Sequence, residues 1–392
     1  MSDRPVPAGA TWDDLAPLLH EVLEEGHADR VLVATSGSSG TPKRVRLSGS
    51  ALRASGIGTG TVLGAAGRWV LALPTHHVAG LQVLARSVLA GTSPVAVDFD
   101  RPFGAASFAP AVEEASRGQH PVYVSLVPTQ LHRLLREGSH EGRAALAAVD
   151  AVLLGGAAVD PALLHQAREV TRVVTTYGMS ETCGGCVYDG APLPGVAVRI
   201  DPRDGRIHLG GAVLADGYVD QPELTAARFI TDVGGRWFVT DDRGVWREGH
   251  LETLGRVDDL IVTGGHKVEP RDVEAALRAL PGVGQALVVG VPDREWGQVV
   301  AAILTTSAAA GDSAAGRSEH GRVPAPSLAT LCDALANALP PHALPRRILW
   351  RDAIPLLPSG KPDRSSALAA LADQGALVGT DGNEWQNGTS GH

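Results

Sequence analysis

Val31-Leu-Val-Ala-Thr35-Ser36-Gly37-Ser38-Ser39-Gly40-Thr41-Pro42-Lys43 joins an apolar run to a loop of glycines and hydroxyls that ends on a lysine. Residues 31–34 have the Val/Leu character of a buried strand, and residues 48–63 have helical spacing. The loop therefore reads as a passage from strand to helix. In that setting backbone N–H groups and hydroxyls converge on phosphate oxygens, with the ammonium as a point charge. The spacing does not fit G-x-x-x-x-G-K-[ST], so this is not a Walker loop; a Ser/Gly linker is the other reading. Of 34 basic residues only Lys43, Lys267 and Lys361 are lysine, and each stands beside a glycine-rich turn. In a chain that writes nearly every cation as arginine, a retained lysine is a candidate for work that needs a compact, rotatable charge, chance survival on a solvated loop being the plain alternative.

Outward from this loop, apolar runs at 69–73, 95–97, 122–127 and 152–154 alternate with helical patterns at 48–63, 80–89, 128–136 and 161–169. That alternation predicts a large α/β domain with a mainly parallel sheet. From residue 196 the texture becomes short, turn-separated strands (196–200, 206–209, 236–239, 244–247), which predicts an antiparallel, barrel-like part. Beyond Asp258 a small α+β domain follows, with helices at 271–280, 328–339 and 365–372 and strands at 285–289, 299–304 and 347–350. The expected domains are 1–257 and 258–374. Residues 307–327 read as a flexible Ala/Gly/Ser insertion and 375–392 as a disordered tail.

The bulk properties narrow the function. A chain of 392 residues exceeds a single core, so two domains are expected. A formal net charge of -9 with no compensating basic block argues against a nucleic-acid or membrane-surface binder. The first residues lack the apolar segment of a secretory signal, no run reaches membrane-span length, and three cysteines suit a reducing cytoplasm. Cys183-Gly-Gly-Cys186 lacks two further ligands at zinc spacing, so it reads as two small residues lining a pocket.

Four further constellations carry chemistry. In Thr175-Thr-Tyr177-Gly178-Met-Ser180-Glu181-Thr182 an aromatic beside glycine can lie against a base, and the carboxylate can hold Mg²⁺ beside phosphates. A strand turn with a solvated Glu is the plain alternative. Thr240-Asp241-Asp242 reads as a strand end whose carboxylates suit ribose hydroxyls, or as an ordinary Asp turn. Gly255-Arg256-Val-Asp258-Asp259 with Gly264-Gly265-His-Lys267, and Pro358-Ser-Gly-Lys361-Pro, complete the set.

In this order and spacing the motifs resemble the adenylate-forming superfamily of acyl-CoA synthetases, nonribosomal adenylation domains and luciferases. The likeness runs from about Val31 to Arg364. It implies ATP, Mg²⁺ and CoA as co-substrates and a small, mobile C-terminal domain hinged at Asp258. It implies a pyrophosphate loop at Thr35 through Lys43, and a nucleotide-side loop at Gly155, Gly156 and Ala157. By the same likeness Tyr177, Gly178 and Ser180 would form the adenine motif, Glu181 the magnesium carboxylate, Asp242 and Arg256 the ribose contacts, and Lys361 the catalytic lysine. The likeness also implies that Gly264, Gly265 and Lys267 serve the thioester step. Either Asp241 or Asp242 could take the ribose, the alignment favouring Asp242. Members carry a far longer stretch before the phosphate loop, so the N-terminal subdomain is expected to be trimmed.

Pro74-Thr-His-His77-Val-Ala-Gly80-Leu-Gln-Val-Leu-Ala-Arg86 carries the substrate signal. His77 fits the family's acyl-pocket gate, and Arg86 resembles the arginine of o-succinylbenzoate–CoA ligases of menaquinone biosynthesis. A buried cation in an apolar pocket makes sense when the ligand brings an anion. Arg86 could instead form a salt bridge on a surface helix face. Another aromatic or fatty acid, or carrier-protein loading, would keep the same chemistry. A dead nucleotide-binding homologue would not be expected to retain Lys361, Glu181 and Asp242 together.

Overall fold

The β-branched and leucine-rich runs form strands because each can bury side chains on a pleated surface. The structure, a computed structural model, describes residues 2–35, 43–136, 139–306, 325–357 and 362–376. It divides into two compact units, Met1–Thr253 and Leu254–His392.

In the first unit the expected parallel sheet is present. Val95–Ala96, Arg68–Leu71, Val122–Leu126, Ala151–Leu154 and Val173–Met179 run parallel, and Gly184–Tyr188 and Ala191–Pro192 extend the sheet antiparallel. Alternate side chains go to opposite faces. Trp69, Leu71, Tyr123, Ala151 and Leu153 enter one core with the helices Gly49–Leu63 and Val78–Ala90. Val70, Val124, Val152 and Leu154 enter another with Ala105–Ala115 and Pro128–Leu135. Both faces are covered, which is why these strands read as nearly continuous apolar runs.

Two expectations change. The loop after Thr35 does not lead into a helix. It joins Arg30–Thr35 to a second strand, Lys43–Ser48, and Thr35 is paired with Lys43 in the antiparallel register. The helix begins only at Gly49, capped by Ser48, whose hydroxyl accepts from Ala51 N at 3.2 Å. Arginines at 44 and 46 hid this strand's alternation, because its outward face is cationic while Val45 and Leu47 are fully buried. Residues 36–42 lie outside the described residues.

The second change concerns residues 236–247. They form one strand, Gly235–Arg247, in an antiparallel sheet with Val196–Ile200, Arg206–Gly211 and Phe229–Asp232, and His250–Arg256 also pairs with it. Val239 faces His208 and Arg243 faces Arg206, so four steps on the long strand oppose two on its partner. Thr240, Asp241 and Asp242 thus form a bulge within a strand and not a strand end. Bulges re-aim side chains.

The second unit sets the hairpin Val283–Asp293 and Gly297–Thr306 against Arg347–Trp350 and the short strands Ile261–Thr263 and His266–Val268. Val288 and Ala302 pack toward the helices Pro270–Arg278 and Leu328–Leu335, whereas Leu287, Val289 and Ile303 pack toward Arg364–Ala376. The expected insertion lies outside the described residues from 307 to 324, and the expected tail from 377 onward.

Candidate active site

Tyr177 and Asp242 meet because a bulge lifts one strand toward another. The Tyr177 phenol donates to Asp242 Oδ2 at 2.8 Å. Burial, and then the Asp242 charge, push the Tyr177 pKa well above the usual phenol value, so it stays a donor. Thr240 Oγ1 fixes the bulge: it accepts from Asp242 N at 3.0 Å and donates to Ile207 O at 2.8 Å. Asp241 points elsewhere and is held by Arg206 at 2.9 Å and by Arg228 at 2.6 and 2.8 Å. Of the two aspartates, Asp242 faces the aromatic and Asp241 is committed to an arginine pair. Gly178 follows Tyr177 for a steric reason, since a Cβ there would lie 2.1 Å from Gly184 O. Gly155 is similarly confined, its Cβ position lying 2.2 Å from Thr176 Oγ1, and Gly156 adopts φ +83° in the loop after Ala151–Leu154. Ser180 and Glu181 lie in the short 3₁₀ turn Ser180–Thr182.

Glu181 is not a solvated turn carboxylate. Tyr218 donates to its Oε1 at 2.8 Å, and Lys43 Nζ lies 5.8 Å from the Tyr218 ring centroid. Sheet register explains the meeting, because Gly217–Tyr218 pairs with Lys43–Ser48, Tyr218 opposite Val45. Tyr218 is buried, and burial followed by the Glu181 charge keeps its hydroxyl protonated. Sequence reasoning had not selected Tyr218.

Arg86 is not on a surface face. Its helix, Val78–Ala90, is buried continuously from Gly80 to Ser87, and Arg86 itself is 7% exposed. No carboxylate pairs with it among the described residues. Nη2 donates to the Tyr188 hydroxyl at 3.3 Å, the guanidinium carbon lies 5.1 Å from the Trp69 ring centroid, and Nε–H has no partner among the described residues. One turn earlier, the buried Gln82 Oε1 also lacks a partner among them. A donor and an acceptor four residues apart on one buried helix thus both lack a protein partner among the described residues. Tyr188 sits opposite Thr176 in the sheet, one rung from Tyr177. His77 is the N-cap residue of the same helix, its ring 4.3 Å from that of His76. Among the described residues, Glu21, His27 and Asp29 alone have metal-ligand spacing, and Arg4 lies 3.6 Å from both acids. Neither the histidine pair nor the cysteines form such a group. Cys183 and Cys186 are fully buried in the core.

In the second unit Arg256 and Asp258 face each other, Nε and Nη2 donating to the two carboxylate oxygens at 3.0 and 2.8 Å. Asp259 instead pairs with Arg364 at 3.1 Å. Gly264 and Gly265, at φ +54° and +80°, turn the hairpin between Ile261–Thr263 and His266–Val268. Two positive φ values in a two-residue turn suit its twist. Lys267 is exposed on the second strand, opposite Val262. Lys361 lies outside the described residues. No helix among the described residues is long and apolar enough to cross a membrane.

The family model for AMP-binding enzymes matches residues 11–219, and that for the AMP-binding enzyme C-terminal domain matches residues 272–361. A probable 2-succinylbenzoate–CoA ligase of Mycobacterium tuberculosis is 40% identical, the alignment covering 94% of this chain and 98% of that protein. The 2-succinylbenzoate–CoA ligase of Salmonella typhimurium is 35% identical over 72% of this chain, but only 59% of its own length is spanned. Among solved structures, the o-succinylbenzoate CoA synthetase of Bacillus subtilis, in complex with the acyl-adenylate OSB-AMP, superposes with a TM-score of 0.68. It is 27% identical, with 91% of this chain and 70% of that one covered. Matched by the family's models in both units and by a relative along nearly its whole length, the chain belongs to the AMP-binding enzyme family.

Proposed function

We propose that this chain is an AMP-forming acid–CoA ligase that activates o-succinylbenzoate in menaquinone biosynthesis, working in the cytoplasm. The observation that carries the choice of acid is Arg86: a buried guanidinium without a carboxylate partner among the described residues, bonded to Tyr188, which lies one ladder rung from Tyr177 of the adenine motif. Burying an unpaired cation is costly, and a ligand that brings its own anion removes the cost. o-Succinylbenzoate carries two carboxylates, one to be activated and one to be held. The relatives named for this acid support the same choice.

In the first step a carboxylate oxygen attacks the α-phosphorus of ATP. The bond to the bridging oxygen breaks, and acyl-AMP and pyrophosphate form. In the second, the CoA sulfur attacks the acyl carbon, its proton is lost, and AMP leaves. Lys43 and the loop that it closes meet the phosphate charge, Tyr177 lies against adenine, and Asp242 accepts from ribose hydroxyls. Arg86 holds the distal carboxylate and His77 guards the acyl pocket. Lys361 serves as the catalytic lysine of the adenylation step. Fixed charges of this kind act where charge develops.

Glu181 fits magnesium by donor chemistry: a hard carboxylate, one oxygen anchored by Tyr218, that would hold the ion together with the substrate's phosphates. When bound, the ion offsets negative charge on the phosphate oxygens. Asp258 serves as hinge, so that the Gly264–Gly265 turn and Lys267 assist the CoA step.

The test is pyrophosphate–ATP exchange with o-succinylbenzoate, and with benzoylpropionate, which lacks the ring carboxylate, followed by thioester formation on adding CoA. Strong preference for the dicarboxylate is expected. Equal exchange with both acids, or none with o-succinylbenzoate, would remove this acid from the assignment.

A further inference from the structure

Arg86 is held by a directional chain of hydroxyls that ends on helix backbone. Thr59 Oγ1 donates its one proton to Ser55 O at 2.9 Å. The 2.9 Å contact between Thr59 Oγ1 and Tyr188 therefore has the phenol as donor. The phenol oxygen in turn accepts from Arg86 Nη2 at 3.3 Å. With the Thr59 proton used on Ser55 O, guanidinium, phenol, hydroxyl and carbonyl follow in order. The three side chains come from different elements: Arg86 from Val78–Ala90, Tyr188 from Gly184–Tyr188 and Thr59 from Gly49–Leu63. All three are buried, at 7%, 4% and 0% exposure.

The geometry points to Tyr188, oriented by Thr59, as the positioning residue that lets Arg86 tell an acid with a second carboxylate from one without. An arginine side chain has several rotatable bonds, and a loose one binds a carboxylate weakly because its freedom is lost on binding. The phenol takes one N–H and the Trp69 ring supports the guanidinium face, while Nε–H stays without a protein partner among the described residues. A guanidinium fixed on one edge offers the remaining donors at a set angle, which suits a planar carboxylate. Tyr188 lies opposite Thr176, whose Oγ1 a Cβ at Gly155 would strike, so the chain is anchored to the strand that carries the nucleotide motif. This inference rests on the dicarboxylate reading above.

The test compares wild type, Tyr188→Phe, Thr59→Val, Thr59→Ser and Arg86→Met in pyrophosphate–ATP exchange with o-succinylbenzoate and with benzoylpropionate. Tyr188→Phe removes the hydroxyl and keeps the ring. Thr59→Val removes the phenol's acceptor and leaves Tyr188 in place, so the pair guards against a folding defect in either. Loss of one hydrogen bond predicts a rise of about three- to tenfold in KM for o-succinylbenzoate in both variants. KM for ATP and for benzoylpropionate should stay unchanged, and Thr59→Ser, which keeps a hydroxyl, should restore the wild-type KM. Equal rises for both acids would mean that the phenol acts through pocket shape, and would overturn the inference. So would unchanged KM in both variants while wild type prefers the dicarboxylate and Arg86→Met abolishes the preference; the choice of acid would then stand. A wild type that does not distinguish the acids overturns the dicarboxylate reading itself, and this inference with it.

Discussion

Arg86→Met should strengthen the fold while weakening the enzyme. Methionine fills a similar volume with an adaptable apolar chain. The substitution loses the long contact to Tyr188, worth about 0.5–1.5 kcal/mol, and the guanidinium–indole contact with Trp69, worth about 1–2 kcal/mol. It also relieves the desolvation of an ion that has no carboxylate partner among the described residues, a penalty of several kcal/mol, on the order of 3–5. At mid-range the relief exceeds the losses by about 1.5 kcal/mol. For a unit of this size each kcal/mol moves the midpoint by about 2–4 °C, so Tm of the apo protein should rise by several degrees. Binding moves the other way. A lost charge-assisted contact of about 1.5–3 kcal/mol raises KM for o-succinylbenzoate about 10- to 100-fold, with KM for ATP nearly constant. Differential scanning calorimetry and exchange kinetics on the same preparation read both. A lower Tm with unchanged KM for the acid would show that Arg86 is a structural residue, and the reasoning from its missing partner would be refuted.

Other outcomes follow from the same geometry. Gly178→Ala places a methyl 2.1 Å from Gly184 O, a backbone contact that cannot yield cheaply; calorimetric ATP affinity should fall at least tenfold, and wild-type affinity would contradict the packing. His208 is buried and accepts from Arg199 Nε on Nδ1 at 3.1 Å; burial, then the Arg199 charge, hold its pKa below the usual imidazole value. Its folded pKa being depressed, stability should be intact above the ordinary value of about 6.5, fall as pH drops below it, and level off beneath the folded pKa. Tm measured across that window should show the fall in wild type and a reduced one in His208→Asn. Lys361→Arg should lose most acyl-AMP formation, as Lys361→Ala does, because a planar fork does not replace a point charge. Both variants should still convert supplied acyl-AMP and CoA to thioester; adenylation by the Arg variant near the wild-type rate would count against the lysine argument.

Much of the architecture was legible because the parallel strands are buried on both faces and therefore read as plain apolar runs. Val196–Ile200 and Arg347–Trp350 were readable to the residue. The strand Lys43–Ser48 was not, since Arg44 and Arg46 alternate with Val45 and Leu47 and a cationic outer face resembles a loop. The bulge at 240–242 was hidden for another reason. Nothing local distinguishes an Asp-rich turn from a strand bulge until the partner strand fixes the register. The site shows the limit of a rarity argument applied to one residue type. The chain has four tyrosines. Three of them place a hydroxyl on a candidate site residue: Tyr177 on Asp242, Tyr218 on Glu181 and Tyr188 on Arg86. The scarcity that singled out lysine pointed equally at tyrosine. Only Tyr177, set beside glycine in a motif, was selected from sequence, because the partners of the other two come from distant strands and helices.

The burial of Cys183 and Cys186 has a chemical consequence. An acyl-adenylate is a mixed anhydride, and a thiolate nearby would capture its acyl group before CoA arrived. Cys186 lies on the strand that runs antiparallel to the adenine-motif strand and Cys183 in the turn just before it, yet neither exposes any surface. Burial pushes the Cys186 thiol up to about 12 and raises Cys183 as well. A protonated, enclosed sulfur is a poor nucleophile. Neither thiol is therefore open to attack an acyl-adenylate, and the acyl group of such an intermediate stays available for the cosubstrate's sulfur.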